Sequence, residues 1–486
     1  MDERASPRAV RALRAALVDH LGREQVRDDP STLEAHAGDW SGADPVLPDL
    51  VVRPGSTTEV ATVLRLANEH RVPVTPRGLG SGKSGGAIPI RGGLVLSTAR
   101  LDAIERVDPE DMVAEVGAGC VLGRLWEAVE GAGLFYPPDP NSFEMCSIGG
   151  NVACNAGGPR ALKYGVTRNY VLGLEVVLPT GQILEVGKQT LKHVTGYDLT
   201  GLIVGSEGTL GVVTKAILRL LPKPAAVQTA LVAFADVHQA ARVVTGLLAE
   251  GHQPRTLELL DHHALDAVRR KTPEAFPRDA GALIIVETDG PDEERAFADL
   301  ARLAEAALAR GALDVQVAAS EADRRRIWAP RNVLSESLKA TAERKISEDI
   351  VVPRSRIPAM IEAAQRIADA SGVRVATYGH AGDGNLHVNV LFARDQEAAA
   401  ARAVLGVMEA AVALGGTLSG EHGVGLTKRD FLPLEHPPAK IALQRSLKRL
   451  LDPADILNPG KVLPPEGAPL PGLHQRPPPP AREQKR

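Results

Sequence analysis

Cysteine, aromatic residues, blocks of basic charge and long apolar runs are all scarce in this 486-residue chain. The three cysteines, Cys120, Cys146 and Cys154, form no CxxC pair and are too few for a cysteine-ligated iron–sulfur cluster or a disulfide framework. Aromatic residues make up 3% of the chain, too few for a surface on which single-stranded bases stack. The formal net charge of -4 disfavours a basic surface for binding nucleic acid. No run approaches a membrane span and the start lacks the apolar core of a signal peptide, so we expect a soluble protein of a reducing cytoplasm.

Glycine is instead abundant, with 47 residues, and it is concentrated between Gly78 and Gly211. Short apolar strands interrupt this stretch, and two prolines in "LPKPAAV" follow it. Further along, strands alternate with alanine-rich helices, an α+β pattern suited to a cap or substrate domain. We therefore predict an N-terminal helical segment (1–44), a glycine-rich domain (45–224), a cap domain (225–415), a C-terminal segment (416–463) and a disordered proline-rich tail (464–486).

The loop "PRGLGSGKSGGAIP" (76–89) fits two phosphate-binding motifs only superficially. Three of its glycines match GxGxxG, but the residues that follow are poor material for the helix that this fingerprint requires. The P-loop pattern fails as well, because Arg77 stands where its first glycine must be. Consecutive small residues can still hold an anion through exposed backbone N–H groups, although a lone loop of this kind is as often a flexible surface loop.

Two further glycine clusters favour the anion-binding interpretation. The stretches "CSIGGNVACNAGGPRALKYGVTRNY" (146–170) and "GLIVGSEGTLGVVT" (201–214) lie in the same predicted domain. Three such segments predict a backbone wrapped closely around one long ligand that contains a polyphosphate.

The stretch "YGHAGDGNLHVNV" (378–390) places a polar strand face directly after a glycine-rich turn. Alternation puts His387 on the polar face and the neighbouring valines on the other. His380 precedes the turn, and Glu421 and His422 follow further along the chain. Two imidazoles and a carboxylate without a thiolate fit an open zinc- or manganese-type site. Spacing alone leaves this interpretation and that of hydrogen-bonded structural histidines equally open.

A second candidate site lies in "WAPRNVLSESLKATAERK" (328–345). If this stretch forms one helix, Arg331 and Ser335 lie one turn apart and can contact the same object. The planar fork of arginine fits a carboxylate at two points, so the pair is typical of a carboxylate-binding site. A solvated charged face is the alternative, because three consecutive arginines (324–326) precede it.

The three glycine clusters, together with "SGEHGVGLTKRDFL" (419–432) and "LDPADILNPGKVL" (451–463), resemble a known family in their order and spacing. From 45 to 463 the chain is similar to FAD-linked oxidases whose cofactor domain is of the vanillyl-alcohol-oxidase/p-cresol-methylhydroxylase (PCMH) type. The branch that it resembles contains D-lactate dehydrogenase, the glycolate oxidase D subunit and D-2-hydroxyglutarate dehydrogenase. The resemblance implies an α+β fold in which a two-subdomain PCMH-type FAD-binding domain precedes an α+β cap of the FAD-linked oxidase C-terminal type. The C-terminal segment would then return to the flavin site.

The resemblance also implies FAD that is bound non-covalently. Covalent members attach the flavin through a histidine or a similar nucleophile, and the cradle here contains no histidine. The pyrophosphate would lie at residues 77–86, the isoalloxazine and ribityl groups near 139–158, and the adenine near 207–213. The expected cofactor-binding residues are Arg77, Gly78, Gly80, Ser81, Gly82, Ser84, Gly85, Gly86, Pro138, Asp139, Ser142, Ile148, Gly149, Gly150, Asn151, Asn155, Gly157, Gly158, Glu207, Gly208, Val212 and Asn458.

The same resemblance implies a divalent metal, Zn or Mn, and a substrate site. The expected metal ligands are His380, His387 and Glu421, and the expected catalytic base is His422. The expected substrate-binding residues are Arg331, Ser335, Lys345 and Asn389. Lys83 and Cys154 depart from the usual family pattern, and neither departure removes one of these residues.

These assignments predict an FAD-dependent dehydrogenase that oxidises a D-2-hydroxyacid (D-lactate, D-2-hydroxyglutarate or glycolate) to the 2-oxoacid. His422 would accept the hydroxyl proton with help from the metal, and flavin N5 would accept the hydride. Because the chain cannot hold a cluster of its own, we expect a separate electron acceptor: an electron-transfer flavoprotein, a quinone, a cytochrome or an iron–sulfur subunit.

Such a partner could hold a cytoplasmic protein at the periphery of the inner membrane. The sequence is also compatible with a homodimer. Three alternatives also remain open on the sequence. The first is a non-catalytic or partner-dependent FAD subunit of a larger complex. The second is a flavin oxidase of another alcohol, and the third is a metal-dependent hydrolase without flavin.

Overall fold

The computed structural model describes residues 4–270, 276–277 and 279–467. Within them, sheets of four, five and seven strands and one two-stranded pair are covered by helices, which confirms the predicted α+β class. Most of the predicted tail, residues 468–486, lies outside the described residues. In the described part of the chain, no helix is both long and apolar enough to cross a bilayer.

The first sheet is parallel at its centre and opens the glycine-rich domain. Its strands are β1 (Val26–Arg27), β2 (Leu50–Val52), β3 (Val74–Arg77) and β4 (Leu94–Ser97). Its helices are α1 (Pro7–Leu21), α2 (Pro30–Ala35) and α3 (Thr57–Glu69). The strand order is β1-β2-β4-β3, with β2 and β3 both parallel to β4. The loop between β3 and β4 contains no helix, so it is neither a dinucleotide fingerprint nor a P-loop, as predicted.

The second sheet is antiparallel and completes this domain. The next strands are β5 (Ile104–Asp108), β6 (Val113–Gly117), β7 (Leu134–Phe135), β8 (Val171–Val177), β9 (Ile183–Gly187), β10 (Val212–Arg219) and β11 (Leu221–Pro222). The helices between them are α4 (Leu122–Gly131), α5 (Ile148–Cys154), α6 (Ala161–Tyr164) and α7 (Leu199–Ile203). Five strands form the sheet β5-β6-β10-β8-β9, and β7 pairs with β11. Helix α5, which carries the second glycine cluster, packs against β6 and β10.

The cap domain is built on a seven-stranded antiparallel sheet in the order β15-β12-β14-β13-β17-β18-β16. Its strands are β12 (Ala226–Phe234), β13 (Thr256–Leu260), β14 (Ala282–Gly290), β15 (Asp314–Val317), β16 (Arg344–Val351), β17 (Arg374–His380) and β18 (Asn385–Phe392). Its helices are α8 (Val237–Ala249), α9 (His262–Arg269), α10 (Glu293–Ala309), α11 (Glu321–Asn332), α12 (Leu334–Lys339), α13 (Ile357–Ser371) and α14 (Glu397–Ala413). Helices α8, α10, α13 and α14 cover one face and form the largest apolar core with it.

Strand alternation sends the polar residues of this sheet to its other face. Glu258 of β13 is opposite His380 of β17, while His387 of β18 is opposite both Tyr378 of β17 and Asp349 of β16. Helices α9, α11 and α12 cover the apolar part of that face. The polar part forms a line of acids and imidazoles across four neighbouring strands.

The C-terminal segment returns from the cap to the first sheet. After α15 (Leu432–Glu435) and α16 (Pro438–Leu451), the chain runs alongside β3. The backbone N–H of Val74 donates to Ile456 O at 2.7 Å, and Asn458 N–H donates to Val74 O at 2.7 Å. The amide of Asn458 and the ammonium of Lys461 reach carbonyls of the loop after β3. The last described residues therefore brace the glycine-rich loop.

Candidate active site

A cleft in the glycine-rich domain brings all three glycine clusters together. The loop after β3, the stretch from Pro140 to Gly157 and the stretch from Ser206 to Val213 line it. Glu421 and His422, from the C-terminal segment, line the cleft as well. The cleft thus reaches the polar face of the cap sheet.

Most residues for which we predict flavin contact lie on the surface of this cleft. They are Arg77, Gly78, Gly80, Ser81, Gly82, Ser84, Gly86, Ser142, Gly149, Gly150, Asn151, Gly157, Glu207, Gly208 and Val212. The residues among our predictions that do not line it are Gly85, Pro138, Asp139, Ile148, Asn155, Gly158 and Asn458.

Three of these seven residues, Ile148, Asp139 and Asn458, are engaged in contacts within the protein. Ile148 is fully buried in the apolar core, and Asp139 accepts the backbone N–H of Arg160 at 3.0 Å. The Asn458 amide donates to Gly86 O at 3.0 Å and to Glu207 O at 2.9 Å, so it ties two walls of the cleft together. Its direct contact with flavin stays a prediction.

The sequence analysis missed the contribution of the N-terminal segment to the cleft. Asp39 and Trp40 line it, and they hold the glycine-rich loop: Asp39 accepts Ala87 N–H at 3.3 Å and Trp40 N–H donates to Gly82 O at 2.9 Å. No motif marks these residues. Only the long-range contact reveals them.

The cleft fits a flavin nucleotide by two structural features. A Cβ on Gly78 would lie 2.4 Å from Ser147 Oγ, so only glycine lets the backbone approach at this point. Asn151 is 4% exposed and its Nδ2 donor has no partner among the described residues. An unpaired buried donor beside a closely packed glycine wall suits a ligand rich in acceptors.

Beyond the end of the cleft, three imidazoles converge on one carboxylate. The distances from Glu421 Oε1 to the Nε2 atoms of His380, His422 and His387 are 3.6, 3.7 and 3.8 Å. Ligand bonds of 2.0–2.2 Å separate tetrahedral ligand atoms by about 3.4 Å, so this spacing can accommodate a divalent cation. The atoms that His380, His387 and Glu421 offer all lie within 4.8 Å of one another, and the structure thus brings the expected metal ligands together.

Two buried acids that the sequence analysis missed orient these ligands. Glu258, fully buried, accepts the Nδ1–H of His380, and this leaves Nε2 of His380 directed at Glu421. Asp349 Oδ2 accepts the backbone N–H groups of Gly420 and Glu421 at 3.0 Å. Such outer carboxylates fix the ring and raise the basicity of a metal-ligating histidine.

Burial and charge set the protonation of the cluster. Burial would lower the pKa of His380, but Glu258 and Glu421 hold it well above its usual value. Burial and the neighbouring His380 hold the pKa of His387 well below its usual value. Burial also lowers the pKa of His422 to about 4, against the opposing effect of Asp349. His422 is therefore neutral at pH 7 and able to accept a proton.

The expectation that Arg331 and Ser335 share one helix is wrong. Helix α11, which contains Pro330, ends at Asn332, and α12 begins at Leu334, whose side chain packs with that of Leu338 in the apolar core. The two side chains accordingly have different partners. Arg331 binds Glu258 through Nε and Nη2, each at 2.8 Å, whereas the Ser335 hydroxyl accepts from Lys345 Nζ at 2.7 Å.

Among the predicted substrate residues, Arg331 is connected to the histidine cluster through Glu258. Its guanidinium carbon stacks 4.8 Å from the ring centroid of Tyr378. Asn389 is fully buried, and its Oδ1 has no partner among the described residues. Lys345 is largely buried, and burial lowers its pKa to about 8. Substrate contact by Ser335, Lys345 and Asn389 stays a prediction.

Two family models match the chain. One, described as FAD linked oxidases, C-terminal domain, matches residues 223–462, and one described as FAD binding domain matches residues 48–187. The glycolate oxidase subunit GlcD of Bacillus subtilis is 40% identical over 452 residues, which are 92% of this chain and 95% of that protein. The D-lactate dehydrogenase of Anaerostipes hadrus is 35% identical, over 85% of this chain and 89% of that protein.

A further relative is the D-2-hydroxyglutarate dehydrogenase of Stutzerimonas stutzeri, 33% identical over 92% of this chain and 98% of that protein. Among solved structures, p-cresol methylhydroxylase with substrate bound superposes with a TM-score of 0.79 over 95% of this chain and 98% of that chain. At 17% identity, this likeness shows the fold alone.

Proposed function

Because this chain belongs to the FAD-linked oxidase family, we propose that it is a dehydrogenase of a D-2-hydroxyacid, with D-lactate, D-2-hydroxyglutarate and glycolate as candidate substrates. The family makes it an FAD-dependent oxidoreductase with a PCMH-type cofactor domain and an FAD-linked oxidase C-terminal domain, as predicted. The relatives support hydroxyacid oxidation in general. The convergence of three imidazole nitrogens on Glu421, next to the cleft, carries the finer proposal.

When bound, FAD supplies the hydride acceptor and a divalent cation polarises the substrate hydroxyl. His380, His387 and Glu421 would hold the cation, and the cleft would hold FAD non-covalently. The unpaired donor of Asn151 would meet an acceptor of the cofactor. This donor set, nitrogen and oxygen without sulfur, suits Zn or Mn.

In this proposal His422 is the base. Its neutral Nε2 accepts the hydroxyl proton of the substrate, and its ring then becomes positive. The Asp349 carboxylate, 3.8 Å from Nδ1 of His422, stabilises that positive charge. Asp349 would thus favour the proton transfer without leaving its own hydrogen bonds.

Arg331 positions the substrate. Glu258 engages Nε and Nη2 of Arg331, so Nη1 is the nitrogen left to bind a substrate carboxylate. The same Glu258 orients His380. Binding of the carboxylate and polarisation of the hydroxyl are therefore linked through one buried acid.

A separate electron acceptor belongs to the proposal. Three cysteines are too few for an iron–sulfur cluster of the chain's own, so we expect the reduced cofactor to pass its electrons to a partner: an electron-transfer flavoprotein, a quinone, a cytochrome or an iron–sulfur subunit. One relative is named a subunit of glycolate oxidase, which favours a partner subunit. A cytoplasmic location, at the membrane periphery when the acceptor lies there, forms part of this proposal.

The His422→Gln variant tests the chemistry. Purified protein is mixed anaerobically with D-lactate, glycolate or D-2-hydroxyglutarate, and the visible flavin spectrum is followed. The wild type should be bleached by at least one of them, while His422→Gln should retain FAD and stay oxidised. His20→Gln, an exposed histidine on α1, should behave as the wild type. Normal bleaching in His422→Gln would disprove the base assignment, and a wild type that none of the acids bleaches would disprove the substrate class.

A further inference from the structure

An open cavity of about 680 Å³ lies beside the flavin cleft and shares the segment from Arg77 to Leu79 with it. It is found where three parallel strands end. Arg53 follows β2, Ser97 ends β4 and Arg77 ends β3, and all three residues line the cavity. In open α/β sheets, the crevice outside the carboxyl ends of the strands is the usual place for a ligand.

Positive groups dominate the lining of this cavity. Arg27, Arg53, Arg77 and Arg100 line it together with the imidazole of His36, and Glu24 is the acidic residue among the described residues that do. The guanidinium groups lie close to the imidazole, since Arg77 and Arg53 add to the effect of burial in lowering the pKa of His36. Positive charges clustered around a concave surface produce a local positive potential, and this potential attracts anions.

Contacts within the protein hold three of these guanidinium groups in place. Arg27 pairs with Asp29 at 2.7 Å, Arg77 donates to Gly38 O at 2.7 Å, and Arg100 donates to the backbone carbonyl of Arg53 at 2.8 Å. The Arg100 guanidinium lies against Gly55, where a Cβ would be 2.9 Å from the guanidinium carbon. The cavity is thus preorganised.

Arg53 differs from the other three. Its guanidinium has neither a hydrogen-bond acceptor nor a carboxylate partner among the described residues, and it is half-buried in the wall of the cavity. A half-buried guanidinium without a partner can bind an oxyanion at two points without first breaking an ion pair. Four arginines around one cavity are more than a single carboxylate ligand requires.

We propose that this cavity binds a small phosphoanion that carries a diphosphate or two neighbouring phosphate groups, with Arg53 as its main ligand. The site is distinct from the substrate site, and it does not depend on which hydroxyacid the protein oxidises. Its ligand would contact the segment from Arg77 to Leu79, which also lines the flavin cleft.

Isothermal titration of inorganic pyrophosphate into the FAD-saturated full-length protein tests the site. Saturation with FAD excludes pyrophosphate from the flavin cleft, and physiological ionic strength suppresses non-specific binding. We expect one pyrophosphate per chain. The Arg53→Gln variant should bind it at least tenfold more weakly, with an unchanged flavin spectrum and melting temperature.

Arg325→Gln is the matched control, because it removes one exposed positive charge from α11 in the cap domain. It should leave the affinity for pyrophosphate unchanged. Should Arg53→Gln fail to fold, Arg100→Gln takes its place with the same expected loss. Absence of binding to the wild type at millimolar pyrophosphate overturns the proposal. Equal affinities in Arg53→Gln, Arg100→Gln and Arg325→Gln place the anion elsewhere and overturn it too.

Discussion

Asp349 of β16 orders the turn that carries Glu421 and His422, although it does not itself lie on the cleft. Its Oδ2 accepts backbone N–H groups of Gly420, Glu421 and His422 at 2.9–3.0 Å, and its Oδ1 accepts from the Asn385 amide at 2.6 Å. Burial opposes its ionisation, but His422 and Lys428 hold its pKa well below the usual value. One ionised side chain thus fixes the backbone of a proposed metal ligand and of the proposed base.

Asp349→Asn should abolish most of the activity. Both carboxylate oxygens of Asp349 accept hydrogen bonds, so in either orientation the NH₂ group of the new amide faces an existing N–H donor. Two donors repel each other, and the turn at 420–422 must therefore shift. We expect flavin reduction by the hydroxyacid to slow at least 100-fold, about 2.7 kcal/mol in the barrier, with FAD still bound. Rapid-mixing spectroscopy measures this rate. Asp102→Asn, an exposed acid paired with Arg124, serves as the control, and a rate near that of the wild type in Asp349→Asn would contradict the role of Asp349.

The pH profile offers a second test at the level of single residues. Because burial lowers the pKa of His422 to about 4, the rate of flavin reduction should stay level through neutral pH and fall only as the pH drops through about 4. Lys83 contributes to that lowering. In Lys83→Met the pKa of His422 should rise and the acid limb should move to higher pH, whereas Lys192→Met should leave it in place. If the flavin reduction rate instead falls as the pH drops through about 6.5, the ordinary histidine pKa, the result would argue against His422 as the base.

The residues of the candidate site were predictable to different degrees. His380, His387 and Glu421 stand in motifs, and the structure brings them together. Glu258 and Asp349 lie in strands whose alternation of polar and apolar residues resembles that of any half-buried strand. Their importance arises from partners 122 and 73 residues away, and no local pattern reports such contacts.

Among the elements, the β17–β18 hairpin presents two proposed metal ligands from its two strands. Its turn passes through Gly384, which has φ +93 and where a Cβ would lie 2.0 Å from Val352 O. Neither the backbone conformation nor the space suits another residue. The turn is therefore glycine-dependent for a physical reason.

Gly384→Ala should separate the ligands at either end of this turn. The new methyl must displace the backbone near Val352, and we expect hydroxyacid-dependent flavin reduction to fall at least tenfold together with the affinity for Zn²⁺, measured by titration. Gly372→Ala is the matched control, since Gly372 also has a positive φ but an added Cβ would meet nothing within 4 Å. If Gly384→Ala keeps the flavin reduction rate and the Zn²⁺ affinity of Gly372→Ala, the hairpin tolerates the added methyl group and the prediction is wrong.

The strand that carries His387 and the alternation of strands with alanine-rich helices in the cap followed from sequence patterns, but the break between α11 and α12 did not. The helix that ends here contains Pro330, and Leu334 and Leu338 of the next turn pack into the cap core. Tertiary packing overrides local propensity at such points. The substrate pair inferred from helical spacing failed for this reason.

Across the whole molecule, a buried ionic network joins the two domains. Asp289 of β14 accepts the Tyr164 hydroxyl at 2.6 Å and pairs with Lys163, both on α6 of the FAD-binding domain. Arg255 of the cap lies 3.6 Å from the same carboxylate. The side chain of Asp289 has no exposed surface.

Asp289→Asn should loosen the cap from the FAD-binding domain. Removal of one partner from a buried charge network typically destabilises a protein by about 3–5 kcal/mol, because the remaining charges lose their compensation. We expect FAD to be released at a lower temperature, which flavin fluorescence reports during heating. Glu294→Gln, an exposed acid on α10, should leave the release temperature unchanged. No change in Asp289→Asn would mean that other contacts suffice to join the domains.

The C-terminal segment beside β3 has a consequence for biosynthesis. The loop expected to cradle the pyrophosphate begins at residue 78, yet the side chains that brace it, Asn458 and Lys461, lie 372 and 373 residues beyond the carbonyls that they bind. A nascent chain therefore lacks this brace until its C-terminal segment has been translated. We expect a polypeptide truncated before residue 458 to hold the vitamin-derived cofactor less tightly than the full chain, because the loop loses both of these tethers.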